Sequence, residues 1–187
     1  MRFNIDDRGI RYCDIFTKIC KGDINITIVE SGACALWHRH KFQSDYQLVI
    51  KGSLKIGMCN LPNTNTNFDK YEYDINKQNV SKKMFNEWQT EYKNICLNSM
   101  KSEHFSTEFD QKLVKNEPYC KWVYLSEKNA NKGALFIPAG LWHGAYNYTN
   151  EQAILIYHIT NKYDNENPDE ERCDVKVMGW EYERIIK

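Results

Sequence analysis

Apolar and polar side chains alternate along Ile24-Asn-Ile-Thr-Ile-Val29, the period-two pattern of a half-buried strand. Other β-prone stretches surround it: Ile10–Cys13 before, then residues 34–38 and 46–50, then Ser53–Met58. Lys21-Gly22-Asp23 and Lys51-Gly52-Ser53 read as turns between them. After Met58 the period changes. Asn60 to Asn67 is rich in Asn, Thr and Pro and reads as a loop. From Ser81 to about Met100 the apolar residues Met84, Phe85, Trp88, Tyr92, Ile95 and Cys96 recur every three to four positions, which predicts an amphipathic helix. Phe105, Phe109, Leu113 and Val114 predict a second, shorter one. The strand pattern returns at Cys120–Leu125, Ala134–Ile137, Trp142–Tyr148 and Ala153–Ile159, with Pro138 and Gly140 marking a tight turn. In the last of these strands Ile154, Ile156 and His158 share one face, and Ala153, Leu155, Tyr157 and Ile159 share the other. Val175–Trp180 and Glu181–Ile186 close the chain. The segment 60–118 is thus a mostly helical insertion between two sheet regions. It reads as packing on the outside of the sheets, with a lid or an oligomer contact as alternatives.

Composition narrows the function classes. The 187 residues suit one domain with a sizeable core. The 25 basic and 25 acidic residues cancel and no basic tract stands out, which argues against a nucleic-acid partner. No apolar run approaches the length of a membrane span, and the start, Met1-Arg-Phe-Asn-Ile-Asp-Asp7, lacks a signal peptide's apolar core. Seven scattered cysteines, an odd number with no Cys-x-x-Cys pair, point to reduced thiols and a cytoplasmic location.

The candidate chemistry sits in two stretches. In the first, Gly32 to Gly52, His38 and His40 lie two apart, so on a strand both imidazoles reach the same side. Asp45 opens the following strand. In the second, Gly133 to Asn147, His143 follows the Pro138–Gly140 turn. Three imidazoles and a carboxylate suit Fe, Mn, Ni or Zn and leave positions open for substrate. A histidine near neutrality is equally suited to moving protons.

These two stretches resemble the two motifs of the cupin superfamily. The first has a glycine, five residues, His-x-His, a short gap, an acidic residue, six further residues and a glycine; Asp45 stands where glutamate is usual. The second has Pro138-x-Gly140-x-x-His143-x-x-x-Asn147. The resemblance implies a mainly β fold: a single cupin jelly-roll β-barrel over residues 1–187, with a helical insertion at about 60–118 and the four candidate ligands inside.

Within the cupins, the C-terminal third is similar to the dTDP-4-dehydrorhamnose 3,5-epimerases and the dTDP-sugar 3,4-ketoisomerases. The matching segments are Leu125-Ser-Glu-Lys-Asn129, Ile137-Pro-Ala-Gly-Leu-Trp-His-Gly144, Tyr157-His-Ile-Thr160, and Tyr163 with Pro168, Glu171 and Arg172. His38-Arg-His-Lys41 is closer to the ketoisomerases, and Ala35-Leu-Trp37 lacks the arginine that precedes the epimerases' histidine.

The resemblance implies a sugar-nucleotide epimerase or isomerase that takes a proton beside a keto-sugar's carbonyl and returns it. His38 or His40 would be the base and Tyr157 the acid. His143, Trp142 and Gln47 would bind the substrate, with Asp174 a candidate to orient the histidine. Epimerases of this kind need no metal. The alternative is a metal-dependent isomerase or dioxygenase holding one divalent transition metal through His38, His40, Asp45 and His143; a sugar-binding cupin without turnover is a third class. Trp37, Trp142, Tyr146 and Tyr148 either stack on a sugar or fill the core. His104 and His158 have no motif support. The expected partner is a nucleotide-linked sugar, and the expected assembly a homodimer paired through Ile24–Val29.

Overall fold

The strand-period stretches form strands in the computed structural model, which describes residues 2–6, 9–13, 21–34, 37–59, 74–75, 78–79, 90–98, 120–164 and 166–172. In chain order these are β1 (Arg2–Asp6), β2 (Gly9–Cys13), β3 (Asp23–Val29), β4 (His38–Arg39), β5 (Asp45–Lys51), β6 (Ser53–Cys59), β7 (Asp74–Ile75) and β8 (Gln78–Asn79). After helix α1, residues 90–98, come β9 (Cys120–Ser126), β10 (Leu135–Ile137), β11 (Trp142–Tyr146), β12 (Ala153–Ile159) and β13 (Glu171–Arg172). A 3₁₀ helix, Glu127–Lys132, follows β9. It is entered through Asn129, whose Oδ1 accepts the Ser126 N–H and whose Nδ2 donates to the Tyr124 carbonyl.

Two sheets carry the architecture. One has four strands in the order β10-β5-β12-β3, the other five in the order β13-β4-β11-β6-β9. β1 pairs with β2, and β7 with β8, as separate ribbons. The two larger sheets pack through their inward faces: Val49, Ile137, Ala153 and Leu155 of the first meet Leu54, Ile56, Met58 and Leu125 of the second in one buried cluster. Each of the Val, Leu, Ile and Met side chains contributes about 1.5–3 kcal/mol by leaving water. The inward faces are apolar there and polar toward Asp45, Gln47, His143 and Tyr157, so the same pleat builds core at one place and a site at another.

The expected jelly-roll barrel is corrected. Closure requires an end strand of one sheet to hydrogen-bond an end strand of the other. Among the described residues β10, β3, β13 and β9 remain sheet ends, and the molecule is two open, facing sheets. β4 and β13 are two residues each, too short to run from one sheet into the other.

Of the helical segment expected between the sheet regions, α1 is present and the β7–β8 ribbon precedes it; the helix expected around Phe105–Val114 lies outside the described residues. So do the strands expected after Val175. The cysteine reading also changes. Cys59 is disulfide-bonded. In the backbone register of β6 and β9, Cys59 stands opposite Cys120. No helix among the described residues is long and apolar enough to cross a membrane.

Candidate functional site

The site grows from strand parity. His38 and His40 flank Arg39, so the imidazoles face one way and the guanidinium the other. β11 pairs antiparallel with β4 in a register that sets His143 opposite His38. The two motifs are also tied directly, through the Gly140 N–H donating to the His40 carbonyl at 2.7 Å. The outcome is a cluster in which one ligand atom from each of His38, His40 and His143 lies within 4.8 Å of the others. The His38 and His143 ring centroids are 4.2 Å apart.

Two of the rings are held by backbone carbonyls. His143 Nδ1 is 2.9 Å from the Leu141 carbonyl, and His40 Nδ1 contacts the Asp169 carbonyl. A carbonyl only accepts, so each Nδ1 carries a proton, and each Nε2 is the nitrogen left clear of these backbone contacts. This is the outer-shell arrangement that fixes the tautomer of metal-ligating or proton-accepting histidines. His143 Nε2 is buried and makes no hydrogen bond among the described residues. Three imidazoles so arranged could hold a divalent transition metal.

Asp45, at the start of β5, is buried beside them. Its Oδ2 lies 3.6 Å from His143 Nε2, and its Oδ1 accepts from Gln43 Nε2 at 2.7 Å. Burial alone would raise its pKa. The adjoining His143 ring, the charge on His40 and the Gln43 donor outweigh burial and hold it at about 2. Asp45 is therefore a carboxylate at neutral pH.

These groups line one cavity of about 780 Å³ between the two sheets. Gln47 and Tyr157, opposite one another across β5 and β12, line it from the four-stranded sheet, and His38 and His143 from the five-stranded one. Gln47 Oε1 is buried and without a hydrogen bond among the described residues, an acceptor available to a ligand.

Trp142 is placed differently from its expected role. It neighbours His143 on β11 and so points to the opposite face, buried, with the Arg39 guanidinium 4.4 Å from its ring centroid. It does not line the cavity, nor do Trp37, Tyr146 or Tyr148. The motif asparagine, Asn147, holds the local backbone together. Its Nδ2 donates to the Val29 and Glu151 carbonyls, and its Oδ1 accepts from Thr149. His158 stacks on Tyr46, and its Nε2 meets the Lys21 carbonyl. Asp174 and His104 lie outside the described residues.

Sequence reasoning missed part of the lining. Asn25, Thr27, Lys162 and Tyr163 all face the cavity. So does Asp169, whose carboxylate accepts the N–H groups of Lys41, Phe42 and Gln43 and thereby fixes the turn after His40. The signal for Asn25 and Thr27 was present as the polar half of an alternating strand.

No family model matches the sequence, and no curated protein does. Solved structures are similar across nearly the whole chain. A dTDP sugar isomerase from Desulfovibrio desulfuricans G20 is 13% identical with a TM-score of 0.56, covering 97% of this chain and 86% of that one. A dTDP-4-dehydrorhamnose 3,5-epimerase from Sulfolobus tokodaii is 17% identical with a TM-score of 0.56, covering 98% and 80%. A dTDP-6-deoxy-D-glucose-3,5-epimerase from Legionella pneumophila Philadelphia 1, in complex with dTDP-4-keto-L-rhamnose, is 15% identical with a TM-score of 0.56, covering 99% and 79%. At these identities the likeness is one of fold, and it is the fold of the group that the two motifs resemble.

Proposed function

We propose that the chain is a sugar epimerase or isomerase that removes and returns a proton beside the carbonyl of a nucleotide-linked keto-sugar. The observation that carries this reading is the placement of Tyr157 and the histidines on facing sheets around one cavity. A sugar bound between them presents one face to His38 and the other to Tyr157. His38 or His40 takes the proton from the carbon next to the carbonyl, and the electron pair moves onto the carbonyl oxygen as an enolate. His143 or Gln47 hydrogen-bonds that oxygen. The electron pair returns to carbon as the Tyr157 hydroxyl delivers a proton from the opposite face; the histidine then releases its proton to solvent and Tyr157 recovers one from it. Positioned acid–base groups of this kind are worth roughly 10²–10⁴-fold each in rate. The structures of similar fold that act on dTDP-sugars support the choice of substrate class.

The test is uptake of solvent deuterium into a dTDP-4-keto sugar. Exchange that survives a chelator and is lost in His38→Asn, His40→Asn and Tyr157→Phe supports the reading. Absence of exchange with every nucleotide-linked keto sugar tried overturns it.

The close approach of the three imidazole ligand atoms favours a second reading, a metal-dependent isomerase or dioxygenase. His38, His40, His143 and Asp45 would hold the ion, which would supply Lewis acidity or bind dioxygen. Stoichiometric metal in protein purified without chelator, together with no proton exchange, selects it.

We also propose a homodimer paired through β3. That strand is an end of its sheet and exposes Ile24, Ile26 and Ile28. A cytoplasmic location goes with a nucleotide-sugar substrate.

A further inference from the structure

Helix α1 touches both of the motifs that carry the histidines without lining the cavity. Its hold on the first motif is through Arg39, the residue between the two histidines, which is fully buried at 0% exposure. The Arg39 guanidinium carbon lies 3.5 Å from the centroid of the Tyr92 ring, with the Trp142 ring near it as well. Arg39 Nε donates to Glu171 Oε2 at 2.8 Å, and the charge of the same carboxylate acts on the Tyr92 phenol. One residue beyond His40, Lys41 pairs with Glu91 of α1.

Its hold on the second motif is backbone against backbone. A Cβ added at Gly140 would fall 2.3 Å from the Tyr92 carbonyl oxygen and 2.9 Å from the Cys96 nitrogen. The helix therefore rests on the turn that leads into His143, at a position that admits no side chain. Cys96 then joins the core cluster shared by the two sheets.

We infer that α1 is a positioning element for the histidine cluster, with Tyr92 and Arg39 as positioning residues that set His38 and His40 against His143. A buried guanidinium stays in place only where its charge is met and its flat faces are covered. Glu171 meets the charge, and the Tyr92 and Trp142 rings cover the faces. Tyr92 comes from the insertion and Trp142 from the second motif. The strand bearing His38 and His40 is thus gripped by the insertion on one side and by the His143 strand on the other. This role goes beyond the proposed reaction and holds whether the cluster moves protons or binds an ion. It also separates α1 from a helix that merely covers apolar surface.

The experiment follows the rings themselves. Long-range ¹H–¹⁵N correlation spectra of the full chain distinguish a protonated Nδ1 from a protonated Nε2, and need neither metal nor substrate. The wild-type protein shows His40 and His143 each as a single Nδ1–H tautomer. Tyr92→Leu keeps apolar volume but loses the ring face and the hydroxyl; it averages the nitrogen shifts of both histidines while far-UV circular dichroism stays native. Tyr92→Phe, which retains the ring, restores the wild-type pattern. Arg39→Lys keeps the charge for Glu171 but not the flat guanidinium, and it behaves as Tyr92→Leu does. Where Tyr92→Leu does not fold, Arg39→Lys decides. A folded Tyr92→Leu or Arg39→Lys protein with wild-type histidine shifts overturns the inference and leaves α1 as packing alone.

Discussion

His143 presents Nε2 to Asp45, 3.6 Å from Oδ2, while its Nδ1 is tied to the Leu141 carbonyl at 2.9 Å. The separation is too long for a good hydrogen bond and short for two buried groups of opposite character. It brings the ring against the carboxylate without a direct bond that would fix Nε2 on Asp45 alone. Asp45, ionised at neutral pH, supplies negative charge without occupying that nitrogen.

This geometry gives the first prediction. The wild-type cluster binds cobalt(II) in vitro, whichever reaction it serves. Asp45→Asn keeps the shape and removes the charge, and it weakens that binding by about 10- to 100-fold, the usual cost of losing a supporting carboxylate. Competition titration against a chromophoric chelator measures it. Equal affinity in the two proteins would remove Asp45 from the site.

The site was more legible in the sequence than the surfaces around it. His38, His40, Asp45 and His143 come together because a period of two and a shared register are local facts that spacing can carry. The same parity, applied to Trp142, would have turned it away from the cavity, since it adjoins His143. β3 shows the limit of pattern alone. Its isoleucines read as the buried face, yet Ile24, Ile26 and Ile28 are 52%, 67% and 58% exposed, while Asn25 and Thr27 face the cavity. Alternation says that the two faces differ, not which one points inward; a cavity between the sheets, which admits Asn25 and Thr27, changes the usual answer. Barrel closure was illegible because it depends on how end strands meet. The Cys59 disulfide was illegible because seven scattered cysteines do not show which of them are paired.

Asp169 sets a second prediction. Its carboxylate gathers three backbone N–H groups, from Lys41 at 2.8 Å, Phe42 at 2.7 Å and Gln43 at 2.9 Å, and its own carbonyl receives the His40 ring. Asp169→Ala strips acceptors from all three amides at once. Hydrogen bonds to a charged group are worth about 1.5–3 kcal/mol, so the loss is on the order of 3 kcal/mol. Asp169→Asn, which keeps one acceptor oxygen, loses less. Urea unfolding midpoints rank the proteins wild type, Asp169→Asn, Asp169→Ala. A midpoint for Asp169→Ala equal to that of the wild type would contradict the assignment.

Tyr92 gives a pH-dependent prediction. Burial, reinforced by the charge of Glu171 and only partly offset by Arg39, pushes its phenol well above the ordinary range. In the unfolded chain the same phenol ionises near pH 10, as tyrosines do. The folded protein keeps a proton that the unfolded chain gives up, so this group favours folding fully below about pH 10 and progressively less above it. Unfolding midpoints between pH 8 and 11 should fall more steeply in the wild type than in Tyr92→Phe, where that proton is absent from both states. Parallel profiles would mean that Tyr92 ionises as easily folded as unfolded.

The outward face of β3 carries the last prediction. Ile26 is its most exposed isoleucine, on the end strand of the four-stranded sheet, and lies beside Ile156 across the β3–β12 pairing. An end strand with a row of bare isoleucines invites association with another sheet, and native chains guard such edges with charge unless they use them. If two copies pair here, Ile26→Lys places a charge at the middle of the contact and desolvates it on assembly. The expected result is a wild-type dimer and an Ile26→Lys monomer by sedimentation equilibrium at the same concentration. Within one copy the substitution touches an exposed position and costs no more than about 0.5 kcal/mol. The monomer therefore keeps its far-UV spectrum, and its cavity still binds cobalt(II). A wild-type monomer at that concentration, or an Ile26→Lys dimer, would sink the proposed pairing.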